Sequence, residues 1–183
     1  MNTHKILLVD ASGSMSSYVK DTRKSIYSII KELDQNTHLT LVFFDTTEYK
    51  IVADDYVLNI APELGYTYKA LSGTPITDSV YKAIEDITND ISNIEQLSEP
   101  HKFIIFTDGC ENDSTHVTAK DLGRAIEHFT DNFRWNFQFI GPKSCTESIQ
   151  KYTNEIKIKK ENVTLYASMS EGLTEMKRKT INR

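Results

Sequence analysis

Two stretches of this chain are apolar without alternation, and each stops at a carboxylate: His4–Asp10 (HKILLVD) and residues 101–108 (HKFIIFTD). A strand with one wet face alternates apolar and polar residues. An unbroken apolar run therefore describes a strand covered on both sides, as in the middle of a mostly parallel sheet with helices on both faces. In open sheets of that kind ligands sit just beyond the carboxyl ends of the strands, near the point where strand order reverses. Asp10 and Asp108 are thus expected at one edge of the sheet, facing one place.

The rest of the chain alternates in the same sense. Residues 15–33 carry Tyr18, Val19, Thr22, Ile26, Ile29, Ile30 and Leu33 at three- and four-residue steps, one apolar stripe of a helix. Residues 39–45 (LTLVFFD) read as a second strand, and Thr46-Thr47 leaves so short a gap before a strand at 49–52 that the pair must be an antiparallel hairpin. Residues 54–70, punctuated by Pro62 and Gly65, give a short helix and little else. Pro75 opens a long helix whose inward face is Ile76, Val80, Ala83, Ile84, Ile87, Ile91, Ile94 and Leu97. After the strand at 101–107 follow a helix at 121–129, a strand at 135–140, a short helix at 147–152, an edge strand Val163–Tyr166 and a closing helix at 171–181. The expectation is one α/β domain spanning residues 1–183, Rossmann-like, with six strands, five of them parallel.

Composition excludes several classes. A chain of 183 residues with 39% hydrophobic content is long enough for one core that hides about 70% of the surface of its unfolded form. With 26 acidic against 21 basic residues the net charge is −5, which argues against nucleic-acid binding by bulk electrostatics. The lysine-rich clusters Lys157, Lys159, Lys160 and Lys177, Arg178, Lys179 read as solvated faces. No run approaches the roughly 20 apolar residues of a membrane span. Cys110 and Cys145 are the only cysteines and no apolar leader follows Met1, so a reducing cytoplasm is the expected location.

The chemistry concentrates at the strand ends. Asp10-Ala11-Ser12-Gly13-Ser14 places a carboxylate at the end of the first strand and two hydroxyls at alternate loop positions, with Gly13 between them. Such oxygen donors suit Mg²⁺, a hard ion that wants octahedral oxygen at about 2.1 Å and keeps several waters. Zinc would want His or Cys at that place, and neither occurs in the loop. The five histidines, His4, His38, His101, His116 and His128, show no ligand spacing and are given no role.

At this point the sequence resembles the von Willebrand factor A (vWA) domain family with a complete metal-ion-dependent adhesion site, intracellular bacterial or phage type. That site's motif is D-x-S-x-S, then a distant Thr, then a distant Asp. Asp10, Ser12 and Ser14 match the first part, Thr74 in Gly-Thr-Pro the second, and Asp108 in Thr-Asp-Gly the third. What the resemblance implies is a protein-recognition module that is not an enzyme. The metal set would be Asp10, Ser12, Ser14, Thr74 and Asp108, holding Mg²⁺, with Mn²⁺ or Ca²⁺ not separable from it. An ion with few direct carboxylates stays electrophilic, so it would take a Glu or Asp carboxylate from a protein partner. No nucleic-acid or membrane partner is expected.

Other readings compete. Asp10 and Asp108 also suit helix caps, and the serines and Thr74 are ordinary turn residues. Strand-end aspartates serve in Mg²⁺-dependent phosphate-ester hydrolases, but the second acid such an enzyme needs two residues on is here Ser12. A scaffold subunit with a purely structural metal is a third reading. Beside Asp108, Cys110-Glu111-Asn112-Asp113 is acidic for a loop meant to receive a carboxylate. It reads as a solvated loop in which Asp113 caps a helix, with repulsion of an acidic partner or a second cation as alternatives. Cys110 reads as a quiet thiol, and Tyr66 and Tyr68 as core or rim aromatics rather than the frame of a binding face.

Overall fold

The computed structural model describes residues 3–90 and 97–182. Its centre is a six-stranded sheet in the order β3-β2-β1-β4-β5-β6. The strands are β1 (His4–Asp10), β2 (His38–Phe44), β3 (Tyr49–Tyr56), β4 (His101–Phe106), β5 (Trp135–Pro142) and β6 (Val163–Tyr166). All neighbouring pairs are parallel except β2 with β3, the hairpin that the short connection at 45–48 demands. Because β2 lies on one side of β1 and β4 on the other, strand order reverses at β1, which sets Asp10 beside the switch point.

Alternation along each buried strand splits the core in two. Leu7, Val9, Leu41 and Phe106 face α1 (Val19–Glu32) and α5 (Met169–Ile181), where Ile26, Ile29, Ile30, Leu173 and Met176 meet them. Ile6, Leu8, Phe103 and Ile105 face α2 (Ile76–Asp90), α3 (Ala119–Asn132) and α4 (Thr146–Glu155), where Val80, Ile84, Leu122, Ile126 and Ile149 meet them. Each such aliphatic side chain contributes about 1.5–3 kcal/mol on leaving water, so both faces hold the sheet.

Two lysines finish the amino-terminal edge of this sandwich. Lys5 and Lys102 are register partners on β1 and β4, both nearly buried. The Lys5 ammonium donates to the carbonyls of Thr180, Ile181 (3.1 Å) and Asn182 (3.0 Å), and Lys102 donates to Asn182 (3.0 Å). The last carbonyls of α5 have no partners within the helix, and a cation suits that end of its dipole.

Several sequence expectations are corrected. The first helix begins as a 3₁₀ turn, Gly13–Tyr18, and is α-helical only from Val19; Tyr18 points outward while Met15 is buried. β3 runs on to Tyr56, with a register irregularity opposite Leu41/Val42, and residues that follow form two 3₁₀ turns, Val57–Asn59 and Pro62–Thr67, rather than one helix. β3 is a partly exposed edge strand whose second half, with Asp54-Asp55, breaks the apolar pattern, so its full extent carries no hydrophobic signal. α3 is capped by Thr118, whose hydroxyl accepts from the Asp121 N–H, so Asp113 is not a helix cap. Ile91 and Ile94 of the proposed α2 face lie outside the described residues. Lys157, Lys159 and Lys160 are exposed as expected, while Lys177 pairs with Glu32 at 2.7 Å. Among the described residues no helix is long and apolar enough to cross a membrane.

Candidate metal centre

Asp10 ends β1 with no solvent exposure. One carboxylate oxygen accepts the Ser12 N–H at 2.8 Å, and the other accepts the Thr107 hydroxyl at 2.6 Å. From Ser12 the chain of contacts continues outward: its hydroxyl is 3.0 Å from that of Ser14, and Ser14 donates to Asp108 at 2.7 Å. Four of the five motif residues thus form one hydrogen-bonded string across the β1 and β4 ends. Thr74, in the neighbouring loop, is held through its main chain by Asn112 and not by that string. Its N–H donates to the Asn112 side chain at 3.1 Å, and its carbonyl accepts from the Asn112 N–H at 3.4 Å.

The loops are strapped to one another by backbone. Gly13 donates to the Ser72 carbonyl at 2.5 Å and Leu71 to that of Ala11 at 2.8 Å, so the Thr74 loop lies against the first loop. Gly73 leaves room for a close approach: a Cβ there would sit 1.4 Å from an Asp113 carboxylate oxygen. That oxygen instead accepts the Thr46 hydroxyl at 3.0 Å. Glu111 is also engaged. It accepts from the N–H groups of Thr77, Asp113 and Ser114 and from the hydroxyls of Thr77 and Ser114, at the start of α2. The acidic loop is therefore folded back on its own donors.

Two tyrosines support the strand ends from the α1/α5 face. Tyr68, fully buried, donates to the Asp10 carbonyl at 2.5 Å, and Tyr166 donates to the Thr107 carbonyl at 2.9 Å. Tyr66, by contrast, is exposed and lies against Tyr27. In the sequence Tyr68 is legible only as an aromatic near Thr74, and Thr107, Asn112 and Tyr166 stand out by no motif. Thr107 carried a legible signal, since it is the hydroxyl that interrupts the apolar run just before Asp108.

The electrostatics are unbalanced. Burial pushes the Asp10 carboxyl up to about 6, against the hydrogen bonds from Thr107 and Ser12, and the nearby Asp108 charge pushes the same way. Burial raises Asp108 as well. Neither carboxylate makes a salt bridge among the described residues. Two close, poorly solvated carboxylates without a cationic side chain, bordered by hydroxyls and no nitrogen or sulfur donor, fit a hard divalent cation. Cys110 stands apart from this chemistry. Burial and a hydrogen bond with Cys145 push its thiol up to about 11, so it is a thiol, not a thiolate, at neutral pH.

A family model of the von Willebrand factor type A domain matches residues 6–168. The chain belongs to that family. Solved structures agree on the fold. A von Willebrand factor type A protein from Catenulispora acidiphila superposes with a TM-score of 0.72 at 16% identity, over 98% of this chain and 42% of that one. The pilus adhesin SpaC of Lactobacillus rhamnosus GG gives 0.73 at 13% identity, over 98% and 30%. The vWF domain of the type V pili tip protein Mfa5 from Porphyromonas gingivalis gives 0.67 at 10% identity, over 100% and 97%. The vWA chain thus spans less than half the length of the first two. Comparison with curated proteins by sequence finds no match. Domains of this family act in protein–protein interaction and adhesion.

Proposed function

We propose that this vWA domain is a protein-recognition module whose binding depends on a divalent cation held by Asp10, Ser12, Ser14, Thr74 and Asp108. The observation that carries the proposal is the string Asp10–Ser12–Ser14–Asp108 at the switch point, an oxygen-only donor set with uncompensated negative charge. Mg²⁺ is the ion that this set suits best, with Mn²⁺ and Ca²⁺ as alternatives of the same chemistry. The bound ion would supply a positive point to which a Glu or Asp of a protein partner adds its carboxylate.

The chain's own residues prepare that point. Thr107 and the Ser12 N–H hold the Asp10 carboxylate in one orientation, and the Tyr68 and Tyr166 hydroxyls fix the main chain beneath it. Glu111 is held by the N–H groups of Thr77 and Ser114 at the start of α2. Beside the loop lies a cleft of about 640 Å³ lined by residues including Cys110, Asn112, Thr115, Ser148 and Lys151, which offers surface for the rest of the partner. No step in this reading makes or breaks a covalent bond, and the whole chain serves as the binding unit in a cytoplasmic setting.

Capture of partners from the native cell, with Mg²⁺ or with EDTA, is the test. A protein retained by wild type with Mg²⁺ and released by EDTA, and not retained by Asp108→Ala, is the expected result. Partners retained equally under all three conditions would contradict it.

A further inference from the structure

A second cluster of donors lies at the other edge of the sheet. His4 begins β1, His38 begins β2 beside it, and Asp54 lies across from Thr40 on β3. His4 and Asp10 are six residues apart along one strand, so the cluster is about 20 Å from the first site at about 3.3 Å per residue. The His4 and His38 rings meet edge to face with centroids 4.3 Å apart. His4 Nε2 is 4.0 Å from Asp54 Oδ1, and His38 Nδ1 is 3.7 Å from the same oxygen. The ligand atoms of all three residues lie within 4.8 Å of one another.

We propose that His4, His38 and Asp54 form a site for a borderline transition cation, Zn²⁺ in the first instance, chemically distinct from the oxygen-only site. Around a tetrahedral Zn²⁺ with bonds of about 2.1 Å, neighbouring ligand atoms are about 3.4 Å apart. The His38–Asp54 and His4–Asp54 separations of 3.7 and 4.0 Å would close by about 0.3 and 0.6 Å, and the widest pair of ligand atoms, within 4.8 Å, by up to about 1.4 Å.

The second observation is an orphan: His38 Nδ1 is shielded from solvent and has no hydrogen-bond partner among the described residues. A buried ring nitrogen without a partner is costly, and a metal ion resolves it. Thr40 supplies the outer support. Its hydroxyl donates to Asp54 at 2.6 Å and accepts from His4 Nε2–H at 2.7 Å, so it orients both side chains, and His4 Nε2 gives up that proton to solvent and that hydrogen bond when it takes the ion.

His101 walls the cluster without joining it. Its ring lies 5.1 Å from that of His4, stacks on Trp135, and is tied through Nδ1 to the Glu99 carbonyl at 2.8 Å. The His38 and Asp54 side chains are 32% and 35% exposed, which leaves an open side for a water as fourth ligand. Such an ion would join β1, β2 and the edge strand β3. Mg²⁺, which takes oxygen ligands, would not compete for it.

The experiment is a calorimetric Zn²⁺ titration of untagged protein in excess Mg²⁺, repeated with Co²⁺ to read tetrahedral coordination from its visible spectrum. Wild type and Asp10→Ala are each expected to take up one Zn²⁺. His38→Ala and Asp54→Asn, both at half-exposed positions and checked by circular dichroism for intact fold, are expected to lose at least about tenfold in affinity, as loss of metal-site groups does. No Zn²⁺ uptake by wild type at micromolar concentration would overturn the proposal. So would uptake unchanged in both variants, or uptake abolished instead by Cys110→Ser.

Discussion

Tyr68→Phe removes one oxygen and leaves the ring, so it isolates the hydroxyl that holds the Asp10 carbonyl. The residue has no solvent exposure and its ring packs edge to face on Phe43 at 5.1 Å, contacts that phenylalanine keeps. What is lost is a 2.5 Å hydrogen bond to a carbonyl beneath the site. Removing the donor leaves that buried acceptor unsatisfied, a cost of about 1–3 kcal/mol. At about 2–4 °C per kcal/mol for a chain of this size, Tm should fall by about 2–12 °C. Differential scanning calorimetry of the metal-free protein reads this directly. Because the Asp10 carbonyl marks where β1 gives way to the Ser12–Ser14 loop, Mg²⁺ affinity should fall as well. A variant that melts within 1 °C of wild type, with roughly unchanged affinity, would refute the view that Tyr68 supports the site.

Other outcomes follow from the same structure. Lys5→Met keeps the apolar stem but strips the ammonium from three terminal carbonyls of α5; a loss of about 1–3 kcal/mol is expected, with faster amide exchange confined to the last turn of α5. Asp78 is pulled up by burial but held below the usual carboxylate range by the N–H groups of Thr115, Val117 and His116. Its contribution is therefore complete above the ordinary value near 3.8 and is lost as pH falls below it. Comparing the acid limb of a stability–pH curve for wild type and Asp78→Asn should show the variant less steep there; identical limbs would count against the assignment.

The features legible in the sequence were those written in periodicity or at strand ends. The apolar runs ending in Asp10 and Asp108 mark β1 and β4, because burial on both faces leaves no room for alternation. The short connection around Thr46-Thr47 fixed the antiparallel pair. Residues 54–70 were misread because they are held by cross-chain contacts. Gly65, for instance, packs so closely on α1 that a Cβ would come within 2.9 Å of the Tyr27 nitrogen, and local composition does not record that.

The supporting groups were hidden for a similar reason. Tyr166 reaches Thr107 from far along the chain, and no spacing rule links them. The histidines show the limit most clearly. His4, His38 and Asp54 have no ligand spacing, yet strand registry between β1 and β2 and between β2 and β3 sets them side by side. Spacing motifs describe sites built on one element, whereas sheet registry builds sites from several. Asp113 has the composition of a cap but not the position, since α3 starts only at Ala119 behind its cap Thr118, and the acidic loop folds onto Thr46 and α2.

Five side chains and one ion make up the proposed site. Titration of chelator-treated protein with Mn²⁺, followed by electron paramagnetic resonance of the free ion, measures it without any partner. Wild type should bind one Mn²⁺ that excess Mg²⁺ displaces, and Asp10→Ala, with its fold verified, should bind none at the same concentration. Binding of equal strength in Asp10→Ala, or no binding to wild type, would contradict the account.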